Sequence, residues 1–470
     1  MLLRYLSSYE DHYSPFFPSG ITIAPTRYMW NNCRNTQSLV IIGLIFSQTF
    51  MVANSIYGQS NEKELDLEGC IKIALDKSPY SKRATSERLQ SLSGIYNALS
   101  PLLPQVQLST EYSRVPSDEQ FLINPSLEPQ MTDIVTNDNF EFSLIVSQSI
   151  VDASSWVRLK QNRTVSRAAE YSFVAARAEL VYNVKQAFYE IIQLNRNVTV
   201  IAASVVQGTE QVNVATERFR LGGISRPELL RIQVGLSQLR VELIEATGAI
   251  ENRKRNLANL LGISFPFHID TTLKFPDTNS ALPSEDSLIK LLFQKNPSTE
   301  SAKLSLEAQK QNQLSIKLQK VPTVSGFFTY GYSGPQFFNN LRNFWSLGIQ
   351  LRWLIFEGLS WYGQFRESSL QIRTSSADME ISNNTAVELM HQSYSDLKTN
   401  RDALSMVKLL IEQATEQFRL RQEQYRLGAA SSEELLTSQV TFIEAQQQAV
   451  QILVAYHLAW GRVLQLLGEW

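Results

Sequence analysis

The residues Trp345-Ser346-Leu347-Gly348-Ile349-Gln350-Leu351-Arg352-Trp353 put a large apolar side chain at every odd position and a small or polar one at every even position. Successive side chains of a strand point to opposite faces, so this pattern predicts a strand with one apolar and one wet wall. The stretch is about as long as a tilted strand needs to cross a bilayer, with tryptophan at both ends, where interfacial aromatics sit. Three further segments alternate in the same way. Gln105–Ser113 sets Val106, Leu108, Thr110 and Tyr112 against Gln105, Gln107, Ser109 and Glu111. Phe140, Phe142, Leu144 and Val146 oppose Glu141, Ser143, Ser147 and Ser149, with Ile145 the one break. Val324, Gly326, Phe328, Tyr330 and Tyr332 face away from Thr323, Ser325, Thr329 and Ser333. Polar loops, Arg114–Asn139 and Gly334–Asn343, join the strands in pairs. Alternation alone also suits the half-buried sheet of a soluble sandwich.

The hydrophobic period then changes. From Asp152 to Leu221 there is no proline and only one glycine, Gly208. An unbroken helix of that length spans roughly 100 Å, more than a globular core requires. Val184, Phe188, Ile191, Leu194, Val198, Ile201 and Val205 follow three-four spacing, and Met390, Leu397, Leu404, Ile411, Phe418 and Tyr425 recur every seventh residue. Such heptads predict coiled-coil packing. The intervening positions (Asn400, Val407, Ala414, Arg421) are weak, so the seam is narrow. Both long helices end at Leu-Gly, a glycine suited to a left-handed cap. Ser225 with Glu228, and Ser431 with Glu434, have capping-box spacing for a returning helix, and Pro227 fits its first turn. Shorter helices are predicted over Leu65–Leu99 and Ser284–Gln319, each closed by a proline.

These elements occur twice. Ser78-Pro79, Leu103-Pro104, Tyr112, Ser155-Trp156, Arg220-Leu221-Gly222 and Leu261-Gly262 recur in order as Asn296-Pro297, Val321-Pro322, Tyr330, Ser360-Trp361, Arg426-Leu427-Gly428 and Leu467-Gly468. Register slips in one place only, the loop between the two strands, which is longer in the first copy. Such a duplication predicts two structural repeats, residues 60–262 and 283–470, joined by a linker, 263–282.

Charge and composition narrow the function. Lys and Arg number 43 against 45 Asp and Glu, so nothing supports nucleic-acid binding. The two cysteines, Cys33 and Cys70, form no disulfide framework and no CxxC metal or redox site. Cys70 follows Leu67-Glu68-Gly69, faintly like a lipoprotein site, but reads better as a buried helix residue. The apolar run Leu39–Ala53 suits a signal peptide, and 1–59 are read as that peptide with an N-terminal extension. No HExxH, GxGxxG, P-loop or GxSxG motif occurs, and His12, His268, His391 and His457 are scattered. The sequence therefore predicts no enzyme, no catalytic residues, no metal and no cofactor.

Four amphipathic strands cannot enclose a lumen, and an open sheet edge is not tolerated in lipid. The protomer then supplies a fraction of a membrane barrel that copies of itself complete. The alternative is a periplasmic or surface coiled-coil scaffold without a pore, which has no reason to keep Gln105, Gln107, Glu111, Gln350 and Arg352 on one wall. Two helix–strand–strand–long helix–helix repeats, with Arg-Phe-Arg-Leu-Gly (218–222) and Gln-Tyr-Arg-Leu-Gly (424–428) at the turns, resemble the TolC outer-membrane efflux family over essentially all of 65–470. The resemblance implies a mainly α protein with a membrane β-barrel: a homotrimeric 12-strand barrel in the outer membrane, continued by an α-helical barrel across the periplasm. It implies a passive exit duct of a tripartite efflux or type I secretion system, with an inner-membrane transporter and a periplasmic adaptor as partners. By resemblance the adaptor docks on Arg218, Leu221, Gly222, Arg426, Leu427 and Gly428. The pore gate takes Tyr425 and Glu228, with Ala430 where relatives carry an arginine. Glu434 matches one acidic ring of the pore, and Thr437 replaces the other.

Overall fold

The computed structural model describes residues 65–114, 138–270, 282–334 and 341–469. The run Leu39–Ala53, Cys33 and most of the first inter-strand loop lie outside the described residues. In the first half the order is α1 (Leu67–Lys77), α2 (Pro79–Leu99), a 3-10 turn (Ser100–Leu102), β1 (Gln105–Arg114), β2 (Asp138–Val151), α3 (Ala153–Arg220) and α4 (Arg226–Leu261). The second half repeats it as α5 (Glu285–Lys295), α6 (Pro297–Leu318), β3 (Thr323–Gly334), β4 (Arg342–Arg352), α7 (Ser360–Leu427) and α8 (Ser432–Leu466).

The strands form one antiparallel sheet in the order β1-β2-β3-β4. Its register lines up the apolar positions across all four strands. One row is Leu108, Leu144, Tyr330 and Trp345, and the next is Val106, Val146, Phe328 and Leu347. The sequence-predicted wall is thus continuous, and in the protomer most of it is uncovered. The opposite wall carries rows such as Glu111, Glu141, Ser333 and Arg342. Two aromatics there interrupt the polar pattern, and each has a glycine beside it. Phe327 pairs with Gly348 and Phe344 with Gly331. A Cβ on Gly348 would sit 2.7 Å from the Phe327 ring, and one on Gly331 would sit 3.0 Å from the Phe344 ring. Each ring lies over a bare strand position.

The helices differ from expectation in one respect. Leu65–Leu99 is two helices, not one, because the residue before a proline is driven out of the α region. Ser78 takes ψ 136°, closes α1 through its N–H to the Ala74 carbonyl, and caps α2 by accepting from the Tyr80 N–H. Asn296 does the same between α5 and α6, with its Oδ1 accepting from the Thr299 N–H at 2.9 Å. These breaks meet the Leu-Gly ends of the return helices in space. A Cβ on Gly262 would lie 2.8 Å from the Lys77 carbonyl oxygen, and one on Gly468 3.3 Å from Pro297 Cδ. Asn296 Nδ2 donates to the Leu466 carbonyl at 2.8 Å. So α4 abuts the start of α2, and α8 the start of α6. Each pair makes a stacked column beside a 68-residue helix, α3 or α7.

Two cores hold these junctions. Cys70, Val184, Phe188, Ile191, Leu257 and Leu261 join α1, α3 and α4, and Leu288, Leu292, Met390, Val463 and Leu466 join α5, α7 and α8. Cys70 is buried as expected, and burial, then the charge of Asp66, pushes its thiol up to about 12. Among the described residues no helix is long and apolar enough to cross a membrane.

Candidate functional site: the hairpin tips

The far ends of α3–α4 and α7–α8 gather most of the sequence-predicted site residues. Both long helices end in the same backbone motif. Gly222 (φ 75°) lets the Gly223 N–H reach the Arg218 carbonyl at 2.8 Å, and Gly428 (φ 81°) lets the Ala429 N–H reach the Gln424 carbonyl at 2.8 Å. These are the six-to-one bonds of a Schellman turn, in which backbone N–H groups satisfy carbonyls of the last helical turn. The leucines before the glycines are left with nothing to cover them: Leu221 is 74% exposed and Leu427 77%. Arg426 is also exposed and pairs with Glu423, at 3.2 Å on its own helix.

Beneath the turns lies a small apolar cluster of Ala215, Ile224, Ile232, Phe418, Tyr425, Ala430 and Leu435. Tyr425, the last of the heptad residues, is buried. Ala430 fills the place where the family pattern puts an arginine, and its methyl is packed into this cluster. The cation comes instead from the other hairpin. Arg218 Nη1 donates to the Tyr425 carbonyl at 2.8 Å, and its guanidinium carbon lies 4.9 Å from the centre of the Tyr425 ring. A Cβ on Gly428 would meet Arg218 Nη2 at 3.4 Å, so the side chain also lies against the second turn. Arg218 therefore makes an internal tie between the two hairpins. Desolvation pushes the Tyr425 phenol up, Arg218 pulls it down, and Glu228 is near enough to push it up again. Among the described residues its buried hydroxyl has no partner in hydrogen-bonding geometry, and the Arg218 guanidinium lies over the ring face.

The two predicted capping boxes part company. Ser431 accepts from the Glu434 N–H at 3.2 Å while Glu434 Oε2 accepts from the Ser431 N–H at 2.9 Å, a complete box. Ser225 makes no side-chain cap, although Pro227 is in the first turn as expected. With Pro227 one N–H of that turn is absent, so a cap there has less to satisfy. Bonds from the Ser431 backbone and hydroxyl hold the Glu434 carboxyl below its ordinary range, and Arg421 adds its charge from 3.5 Å. The sequence reading missed Arg421 as a partner of Glu434. The tips thus bring Arg218, Tyr425 and Glu228 together and keep Glu434 in its own cap. Among the described residues no cluster could hold a metal.

A four-strand sheet with one exposed apolar wall and one largely polar wall, carried on paired helical hairpins, is the architecture of an outer-membrane channel subunit. The sequence matches the outer membrane efflux protein family over residues 71–263 and 288–469, and the chain belongs to that family. It is an outer-membrane efflux channel of the kind that serves tripartite systems. Outer membrane protein TolC of Vibrio cholerae is 20% identical over 421 residues, covering 88% of this chain and 90% of that one. TolC of Escherichia coli K12 is 18% identical over 404 residues, covering 83% and 80%. The crystal structure of VceC from Vibrio cholerae superposes with a TM-score of 0.72 at 18% identity, covering 86% of this chain and 96% of that one.

Proposed function

We propose that three copies of this chain close the sheet into a twelve-stranded barrel and the hairpins into a helical cylinder, an exit duct fed by an inner-membrane transporter through a periplasmic adaptor. The observation that carries this reading is the sheet itself. Its apolar wall is mostly uncovered, and among the described residues β1 and β4 end it with unpaired edges. Lipid tolerates no such edges, and only self-pairing of β1 with a neighbour's β4 removes them. A pore-less scaffold accounts for neither feature. The repeats 60–262 and 283–470 supply matching halves of each protomer's share of the wall, with 263–282 as the linker between them.

At the tips we assign the adaptor surface to Leu221, Gly222, Arg426, Leu427 and Gly428. The gate is assigned to Tyr425 and Glu228, tied by Arg218, with Glu434 as a carboxylate of the constriction. Exposed apolar side chains above turns that cap themselves have no local role and mark a partner surface. Leu427→Asp is therefore expected to abolish efflux in cells while leaving the purified channel's heat stability unchanged. A melting temperature that falls along with transport would show the leucine to be structural. The cargo is set by the pump, since the duct conducts passively whatever is delivered.

A further inference from the structure

The strand that defines the apolar wall does not stop being apolar where it stops being a strand. β4 ends at Arg352, because its partner β3 begins at Thr323, directly after Pro322, which has no N–H to offer. The chain continues as Trp353-Leu354-Ile355-Phe356 before α7. In the first repeat the corresponding stretch still pairs with β3, through Gln148, Ser149 and, past a bulge at Ile150, Val151. Here they are not paired. The segment is nonetheless held in place. Trp353 Nε1 donates to the Lys320 carbonyl at 3.0 Å, and Glu357 accepts from Lys320 Nζ at 3.1 Å. Between these anchors Ile355 is 74% exposed and Phe356 81%, followed by Leu359 at 80%.

We propose that Trp353–Leu359 is a membrane-anchoring rim that enters the headgroup–acyl boundary of the inner leaflet of the outer membrane. The odd-numbered stripe Trp345, Leu347, Ile349, Leu351, Trp353 and Ile355 runs unbroken from the lipid-facing wall into this segment. Its unpaired backbone cannot enter the hydrocarbon core, but it stays hydrated at the boundary, where aromatic side chains are favoured. The charged anchors Lys320 and Glu357 belong at the same level. A neighbouring protomer is a poor alternative cover. The segment leading into its β1 holds Pro101 and Pro104, which remove two of the backbone donors needed to pair with 353–356.

The test uses the full-length protein in phospholipid vesicles, spin-labelled at Ile355→Cys or Phe356→Cys in a Cys33→Ser background. The buried, protonated Cys70 takes no label. Collisions with oxygen and with a nickel chelate report depth. Labels at 355 and 356 are expected to favour oxygen over nickel several-fold relative to a label at the exposed helix position Met406→Cys, and to sit shallower than one at Leu347→Cys. A nickel-dominated ratio would place the segment in water and overturn the proposal. An immobile label shielded from both reagents would place it against a neighbouring copy and overturn it equally. Leu347→Cys reports insertion of the barrel by itself, so failure of the channel reading is separable. Phe356→Trp should also be quenched by lipids brominated near the headgroup, and absence of quenching contradicts the rim.

Discussion

Arg218→Ala is expected to open the channel. Purified protein in planar bilayers should pass from rare, brief openings to sustained conductance, while its assembly and heat stability stay near wild type. The tie lost is a charged hydrogen bond to the Tyr425 carbonyl and a guanidinium over its ring. A hydrogen bond to a charged group contributes about 1.5–3 kcal/mol and a cation–π contact about 0.5–1 kcal/mol. Even 2 kcal/mol shifts the closed–open balance at each tip by roughly 30-fold. The Tyr425 carbonyl keeps its second partner, the Gly428 N–H at 3.1 Å, so the turn itself should survive. Arg218→Lys retains charge without the planar fork and should open the channel partly. Wild-type conductance in Arg218→Ala would mean that the tie only seats the turn and that closure lies elsewhere.

The largest loss of stability is expected from Gly262→Ala. Gly262 has φ 70°, and a Cβ would stand 2.8 Å from the Lys77 carbonyl oxygen and 3.0 Å from Pro79 Cδ, both on the stacked partner. A left-handed non-glycine residue costs about 1–2 kcal/mol, and overpacking about 1–3 kcal/mol more. Leu261 and Leu257 would also be pushed off the core they share with Cys70 and Val184. Gly222→Ala is the control, because its φ is 75° but its Cβ would meet nothing within 4 Å. Thermal unfolding in detergent should therefore show a drop about twice as large for Gly262→Ala as for Gly222→Ala. Equal drops would mean that the stacked junction has room to spare.

Periodicity carried most of this architecture in readable form. The alternation at 345–353 gave the strand because one wall must face an apolar medium, and the register confirms it row by row. The heptads from Met390 to Tyr425 gave the long helix, with Met390, Leu397, Phe418 and Tyr425 buried along one seam. What escaped was decided by neighbours far away in sequence. Ser78-Pro79 and Leu261-Gly262 were visible as separate landmarks, but nothing local says that a proline break and a glycine cap stack to make one column. Phe327 looks misplaced until register sets it over Gly348. Ser225 and Ser431 have the same spacing to a glutamate and still differ, since Pro227 alters what the first turn has to satisfy. Arg218 entered as a docking residue through the resemblance of the Arg-Phe-Arg-Leu-Gly turn. Only the packing of two hairpins shows that its guanidinium turns inward, to a carbonyl 207 residues along the chain.

Native mass spectrometry of the protein released from detergent micelles tests the central claim most directly. A sheet whose two edges can be satisfied only by other copies predicts one dominant species of three protomers, stable until the micelle is stripped and the chain unfolds. A folded monomer as the stable species would show that the edges need no partner, and would contradict the account of this chain as one third of a channel.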